Sequence, residues 1–237
     1  MKNQNAIILF ARTPEITRSG GSEPFAALPW DDLDSVFHAC VGDLLHTAAS
    51  VPETDVLLYR NAQFPAERLI VPTGNGIRQF DMVQGDFGEC VQQAVEGAFL
   101  EYYHRVVVVV ENNPLLDRDV FRLATDQLGV EDDCAVITPA DDERIVLISL
   151  KANYPSLFFG KGGSHVGRPS GVLARLCELN VMVFPPQPSF MLDTPANIDR
   201  LREEVAGRDP GSPDFPKRTS AVFRTLEKKY KWRKTHT

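Results

Sequence analysis

No two cysteines of this chain stand close together. Cys40, Cys90, Cys134 and Cys177 are scattered over 237 residues. With no Cys-x-x-Cys pair, a zinc knuckle and a dithiol redox motif are excluded. Cys90 and Cys177 fall in helix-like segments, where a free thiol serves as a small core residue. Long hydrophobic runs are missing too. Nothing approaches the ~20 apolar residues of a membrane span. The opening MKNQNAIILFARTPE holds an apolar run too short for a signal peptide. Positive charge is not in excess: 25 Lys and Arg against 32 Asp and Glu leave a formal net charge of −7. That balance argues against general nucleic-acid binding by the body of the protein. The histidines His38, His46, His104, His165 and His236 show no metal-ligand spacing. No Ser or Cys nucleophile elbow is visible, and no G-x-G-x-x-G follows the first strand-like run. These absences describe a protein of a reducing, cytoplasmic setting.

What is present is alternation. Strand-length apolar runs stand at 6–11 (AIILFA), 55–60 (DVLLYR), 68–72 (RLIVP), 105–111, 134–139 (CAVITP), 144–150 (RIVLISL) and 181–186 (VMVFPP). All-apolar runs such as AIILFA suit strands buried on both faces. Between them lie helical patterns at 30–50, 86–103, 117–129, 170–179 and 194–207. In the first, Leu33, Val36, Phe37, Cys40, Val41, Leu44 and Leu45 recur at helical spacing. Asp117 suits an N-cap and Gly129 a helix end. Strands alternating with helices predict an α/β fold: a three-layer α/β/α sandwich with a mostly parallel central sheet. The predicted domain spans 1–206. A linker over 207–216 and a basic helix at about 217–231, docked on that domain, complete the chain. The tail's eight basic residues also suit an anionic partner, but Val222, Phe223, Leu226 and Tyr230 form an apolar stripe that favours docking.

In parallel sheets, ligands bind beyond the carboxyl ends of the strands. Four polar clusters fall at such places: Arg12-Thr13-Pro14-Glu15; Glu111-Asn112-Asn113; Asp141-Asp142-Glu143; and Asp193-Thr194. A further cluster, Asp86 to Glu89, opens a helix. Carboxylates gathered at one sheet edge suit a hard divalent cation such as Mg²⁺ or Mn²⁺. An arginine after the first strand suits phosphate oxygens. Each cluster also has a plainer reading. Asp141-Asp142 suits a solvated turn, Asp193 a helix cap, Asn113-Pro114 a turn, and Glu89 a helix surface. The loop GKGGSHVGRP at 160–169 imitates a phosphate loop, but Arg168-Pro169 stands where Lys-Ser/Thr is required. It is therefore expected to be a surface loop, with His165 on it a solvated residue.

The order of these clusters resembles an uncharacterised bacterial family within the GT-A, or nucleotide-diphospho-sugar transferase, superfamily. Its relatives include glycosyltransferases and the nucleotidyltransferases of molybdenum-cofactor and deazaflavin-cofactor synthesis. The resemblance spans about residues 5–225. It is carried by AIILFARTPEITRSGG, by Asp86-Phe87-Gly88-Glu89, by Val110-Glu111-Asn112-Asn113-Pro114, by Pro139 through Leu150, by Asp193-Thr194-Pro195 and by FPKRTSAVF. It implies the GT-A type of fold and a transferase acting on a nucleotide or nucleotide-sugar with Mg²⁺ or Mn²⁺; the acceptor stays undefined. On this reading Arg12, Thr13, Asp86, Glu89, Asn112 and Asn113 bind nucleotide or substrate. Asp142 and Asp193 are catalytic, and Glu111, Asp142 and Asp193 hold the metal.

The chain departs from the family pattern in two places. The family's metal-binding Asp falls on Asn112, and Glu143-Arg144 replaces a pair of glycines. Glu111 can stand in for the missing carboxylate only where the strand slips or bends, because neighbours on a strand point to opposite faces. Restoring Asp at 112 is expected to raise metal-dependent nucleotide affinity. The alternative is a non-catalytic nucleotide- or sugar-binding protein on the same fold.

Overall fold

A computed structural model describes residues 3–12, 28–61, 76–141, 144–160, 163–164, 169–184 and 189–231. Its centre is the valine run. Strand β4 (Arg105–Val109) is built from β-branched residues that fit a pleated surface. Side chains alternate across a strand, so Val107 and Val109 enter one core while Val106, Val108 and Val110 enter another. Its neighbour β1 (Asn5–Ala11) divides the same way. Ile7, Leu9 and Ala11 face one side, and Ala6, Ile8 and Phe10 the other. A strand apolar on both faces needs a layer on each side, and both layers are present.

Along the chain follow α1 (Trp30–Ala49), β2 (Thr54–Arg60), β3 (Ile77–Asp81), α2 (Phe87–Leu100), β4, α3 (Arg118–Gln127), β5 (Cys134–Pro139) and β6 (Ile145–Leu150). Next come a small hairpin of β7 (Phe159–Gly160) and β8 (Gly163–Ser164), then α4 (Pro169–Glu178), β9 (Met182–Phe184), α5 (Pro195–Gly207) and α6 (Lys217–Tyr230). The seven-stranded sheet has the order β3-β2-β1-β4-β6-β5-β9. Every pairing is parallel except those of β6 with β4 and β5. Core residues from α1, α3, α5 and α6 pack on one face, and residues from α2 and α4 on the other. This is the expected three-layer, mostly parallel sandwich.

Local chemistry sets the boundaries. Asp117 accepts from the Val120 amide at 3.0 Å and caps α3. At the other end the Gly129 amide donates to Asp126 O at 2.8 Å. A Cβ on Gly129 would stand 2.9 Å from that carbonyl, so the close approach requires glycine. The reversal at β6 follows from its connection. A parallel crossover needs a dozen or more residues, and β5 and β6 are joined by far fewer.

Two segments differ from the sequence reading, and Cys177 of α4, expected in the core, is exposed. β3 is Ile77–Asp81 (IRQFD), a half-exposed strand on the sheet edge; its few apolar residues leave no clear pattern. RLIVP at 68–72 lies outside the described residues. In the glycine-rich segment, β7 and β8 pair antiparallel, while 161–162 and 165–168, His165 among them, are outside the described residues.

The last helix packs on the first. Pro216 precedes α6 and offers no side-chain cap. The buried Asp43 of α1 supplies one from across the interface, accepting from the Arg218 amide at 3.1 Å and the Thr219 amide at 2.8 Å. Phe223 and Leu226 complete the contact as buried residues of the core. At the far end Asp32 accepts from Lys229 Nζ at 2.8 Å and from the Tyr230 hydroxyl. Both donors hold the Asp32 carboxyl below its usual range.

Candidate functional site

The carboxyl ends of β1, β4 and β5 and the start of β6 share one edge of the sheet. Arg12, Glu111-Asn112-Asn113, Asp141 and Arg144 therefore emerge together. Asp193 joins them because Ser189 pairs with Ala140 beyond the end of β5.

The exit from β4 is bent. The Val110 and Glu111 amides both donate to Val146 O, at 2.8 and 3.2 Å. Two donors on one acceptor mark a break in the ladder of the kind a bulge makes. The Asn113 amide then turns back to Glu111 O at 2.9 Å. The strict alternation of the strand ends here, so adjacent side chains at 111 and 112 escape it.

Both asparagines are turned inward. Asn112, 4% exposed, donates from Nδ2 to Phe10 O at 2.9 Å and to Arg12 O at 3.3 Å, latching the β4 exit to the β1 exit. Asn113, fully buried, donates from Nδ2 to Phe190 O at 3.1 Å and Ser189 Oγ at 3.3 Å. Its Oδ1 accepts from the Leu115 amide at 3.0 Å. Both carboxamides, expected at ribose or phosphate, make internal bonds, because buried backbone carbonyls need donors.

Charge gathers around Glu111, which is only 2% exposed. Its Oε1 accepts from the Asn112 amide at 2.9 Å, while Oε2 is buried with no hydrogen-bond partner among the described residues. Burial raises the Glu111 pKa above the ordinary carboxylate value. The Arg12 guanidinium and the Asn112 and Leu192 amides oppose the shift, and the neighbouring Asp193 charge adds to it. Arg12 lies 4.0 Å from the centroid of the Phe87 ring, and its Nη2 donates to Val110 O at 3.4 Å. Asp193 Oδ2 pairs with Arg144 Nη1 at 2.6 Å; its Oδ1 is buried and, like Glu111 Oε2, has no hydrogen-bond partner among the described residues. Asp193 is not the cap of α5. Thr194 takes that role, accepting from the Asn197 amide at 3.2 Å. The sequence thus brings together Arg12, Glu111, Asp193 and Arg144: two guanidiniums and two carboxylates.

The other expected residues are placed differently. Asp86 caps α2, accepting from the Gly88 amide at 2.7 Å. Glu89, in the first turn of α2, accepts from Gln93 Nε2 at 3.5 Å. Thr13 and Asp142 lie outside the described residues. Asp141 is exposed and pairs with Arg200 of α5, whose guanidinium covers the Phe190 ring at 4.1 Å. Sequence reasoning overlooked an aromatic group beside Arg12. Phe10 meets Phe87 edge-on at 5.2 Å, and Tyr59 stacks on Phe80 at 4.9 Å. Aromatic residues near the ends of three neighbouring strands were the available signal. Also overlooked was a cleft of about 390 Å³ between α3 and α5, floored by Leu115, Leu116, Thr138 and Phe190.

The described donors do not fit a divalent cation. No group of three or more His, Cys, Asp or Glu among them is arranged to hold one. Of the three expected ligands, Asp142 is outside the described residues and Asp193 is bound by Arg144. Glu111 has the Arg12 guanidinium beside it, and that charge repels a cation placed there.

Comparison with known proteins agrees with the fold. The family model described as uncharacterized protein conserved in bacteria (DUF2064) matches residues 44–161. No curated protein matches the sequence. A crystal structure from Desulfovibrio desulfuricans G20, of a protein proposed to be a nucleotide-diphospho-sugar transferase, superposes with a TM-score of 0.71 at 18% identity. The match covers 96% of this chain and 98% of that one. The 4-diphosphocytidyl-2C-methyl-D-erythritol synthase of Anaerococcus prevotii gives a TM-score of 0.58 at 12% identity, covering 86% and 97%. A cytidylyltransferase of Leptospira borgpetersenii gives 0.55 at 14%, covering 100% and 98%. At these identities the likeness establishes the fold alone.

Proposed function

We propose that this chain, which matches the DUF2064 family model over residues 44–161 and adopts the nucleotide-diphospho-sugar transferase fold, binds a nucleotide or nucleotide-sugar at the carboxyl edge of its sheet and transfers a glycosyl or nucleotidyl group from it. The observation that carries this reading is the convergence of Arg12, Glu111, Arg144 and Asp193, remote along the chain, at that one edge. Arg12, fixed by Phe87 and by Val110 O, is the group for a phosphate oxygen. A guanidinium held in place before the reaction stabilises charge developing on the leaving phosphate without reorganisation. Asp193 Oδ1, which has no donor among the described residues, suits the acceptor hydroxyl. Asp86 and Glu89 frame the nucleotide side through the start of α2.

Calorimetry with nucleoside diphosphates, triphosphates and nucleotide-sugars tests this. Binding by the wild type is expected, with Arg12→Ala weaker by about tenfold, the ~1.4 kcal/mol of one charge-assisted contact. Failure of every nucleotide to bind would remove the reading. A second reading, a binding protein without turnover, is favoured by the internal engagement of Asn112 and Asn113. Product formation from a bound nucleotide-sugar separates the two.

A further inference from the structure

We infer that Arg144, with Arg12, serves as the resident counter-cation of the Glu111–Asp193 pair, so that this edge takes a nucleotide phosphate without a divalent metal ion. The inference rests on the nucleotide-binding reading for its ligand, but not for its first test. Its basis is the balance of charge among the described residues of the site. Glu111 is 2% exposed, and Asp193 lies close enough for its charge to act on it. A buried carboxylate with a half-buried one near it needs positive charge. Here each already has one: Arg12 beside Glu111 and Arg144 on Asp193 at 2.6 Å.

Two carboxylate oxygens without donors among the described residues, Glu111 Oε2 and Asp193 Oδ1, are the atoms open to a metal. A divalent ion there would face two guanidiniums, and the partial burial of the site limits the screening of that repulsion. Arg144 is the decisive group, because it stands immediately before β6 and reaches the carboxylate directly. Arg12 is tied additionally to Phe87 and Val110. An arginine also remains charged at any accessible pH, so the substitution for a metal would be permanent rather than conditional.

Mn²⁺ binding to the metal-free protein, followed by electron paramagnetic resonance of the free ion, tests the inference without any nucleotide. The wild type is expected to show no site tighter than millimolar. Arg144→Gly, which uncovers Asp193 and removes one of the two opposing charges, is expected to gain Mn²⁺ affinity at least tenfold. Arg144→Lys, which keeps the charge, is expected to gain none. A sub-millimolar Mn²⁺ site in the wild type that Asp193→Asn abolishes would overturn the inference. So would an Arg144→Gly protein that folds, as judged by circular dichroism, and gains nothing. Should Arg144→Gly fail to fold, the wild-type and Asp193→Asn titrations decide alone. A parallel calorimetric titration with nucleotide in EDTA distinguishes the two levels. Equal affinity with EDTA and with Mn²⁺ supports both, and binding only with Mn²⁺ overturns the inference while sparing the nucleotide reading. Absence of nucleotide binding under either condition overturns that reading and leaves the Mn²⁺ result to decide the role of Arg144.

Discussion

Asn112 shows how one side chain can be read correctly for place and differently for role. Its position at the end of the central strand followed from the valine run. Its partners did not. The amide donates to Phe10 O and Arg12 O, and only a carboxamide can do so. An aspartate at 112 would set a carboxylate against two carbonyl oxygens in a buried site. Asn112→Asp is accordingly expected to destabilise the fold by about 3 kcal/mol, the loss of a buried donor together with a new unpaired charge. Urea denaturation measures this. A midpoint unchanged by the substitution would show that the amide is not the latch between β1 and β4. The simpler expectation, that Asp at 112 raises metal-dependent affinity, is weakened by the same geometry. At Asp193 the plain alternative was a helix cap. Thr194, one residue on, performs the capping and releases Asp193 for Arg144. Two adjacent residues, both of types favoured at a cap, left the choice to their surroundings.

At the scale of elements, periodicity located most helices and strands, and missed those with weak patterns. β3 carries two apolar side chains, Ile77 and Phe80, in five residues, and is recognised only by its pairing with β2. The antiparallel β6 was visible in principle through its short connection to β5. The dependence of α6 on α1 was not visible in sequence. Asp43 lies in the middle of a helix and reads as a surface acid, yet it is buried and accepts from two amides 175 and 176 residues away. Asp43→Ala is expected to cost about 2 kcal/mol, at the upper end for a lost cap because two buried donors are stranded. The effect should appear first as faster hydrogen exchange in the first turn of α6. Protection of that turn equal to the wild type would contradict the role assigned to Asp43.

For the whole molecule, two apolar cores lie back to back on one sheet, and each strand of the sheet's centre contributes to both. Damage on either face therefore weakens the same sheet. Leu45→Ala in α1 and Leu176→Ala in α4 remove fully buried side chains from opposite cores. Each is expected to lower stability by roughly 2–5 kcal/mol in one shared unfolding transition seen equally by fluorescence and circular dichroism. Two separated transitions in either variant would show that the layers fold independently.

The sequence by itself determined the layered architecture, because alternating periods of apolar residues leave few other ways to bury them, and it determined that polar groups gather beyond the strand ends. Only the tertiary structure decided which of those groups face one another. Hydrogen-bond partners and opposing charges come from segments far apart along the chain, so the pairing of Arg144 with Asp193, the inward turn of Asn112 and Asn113, and the burial of Glu111 are consequences of distance in space that no local pattern encodes.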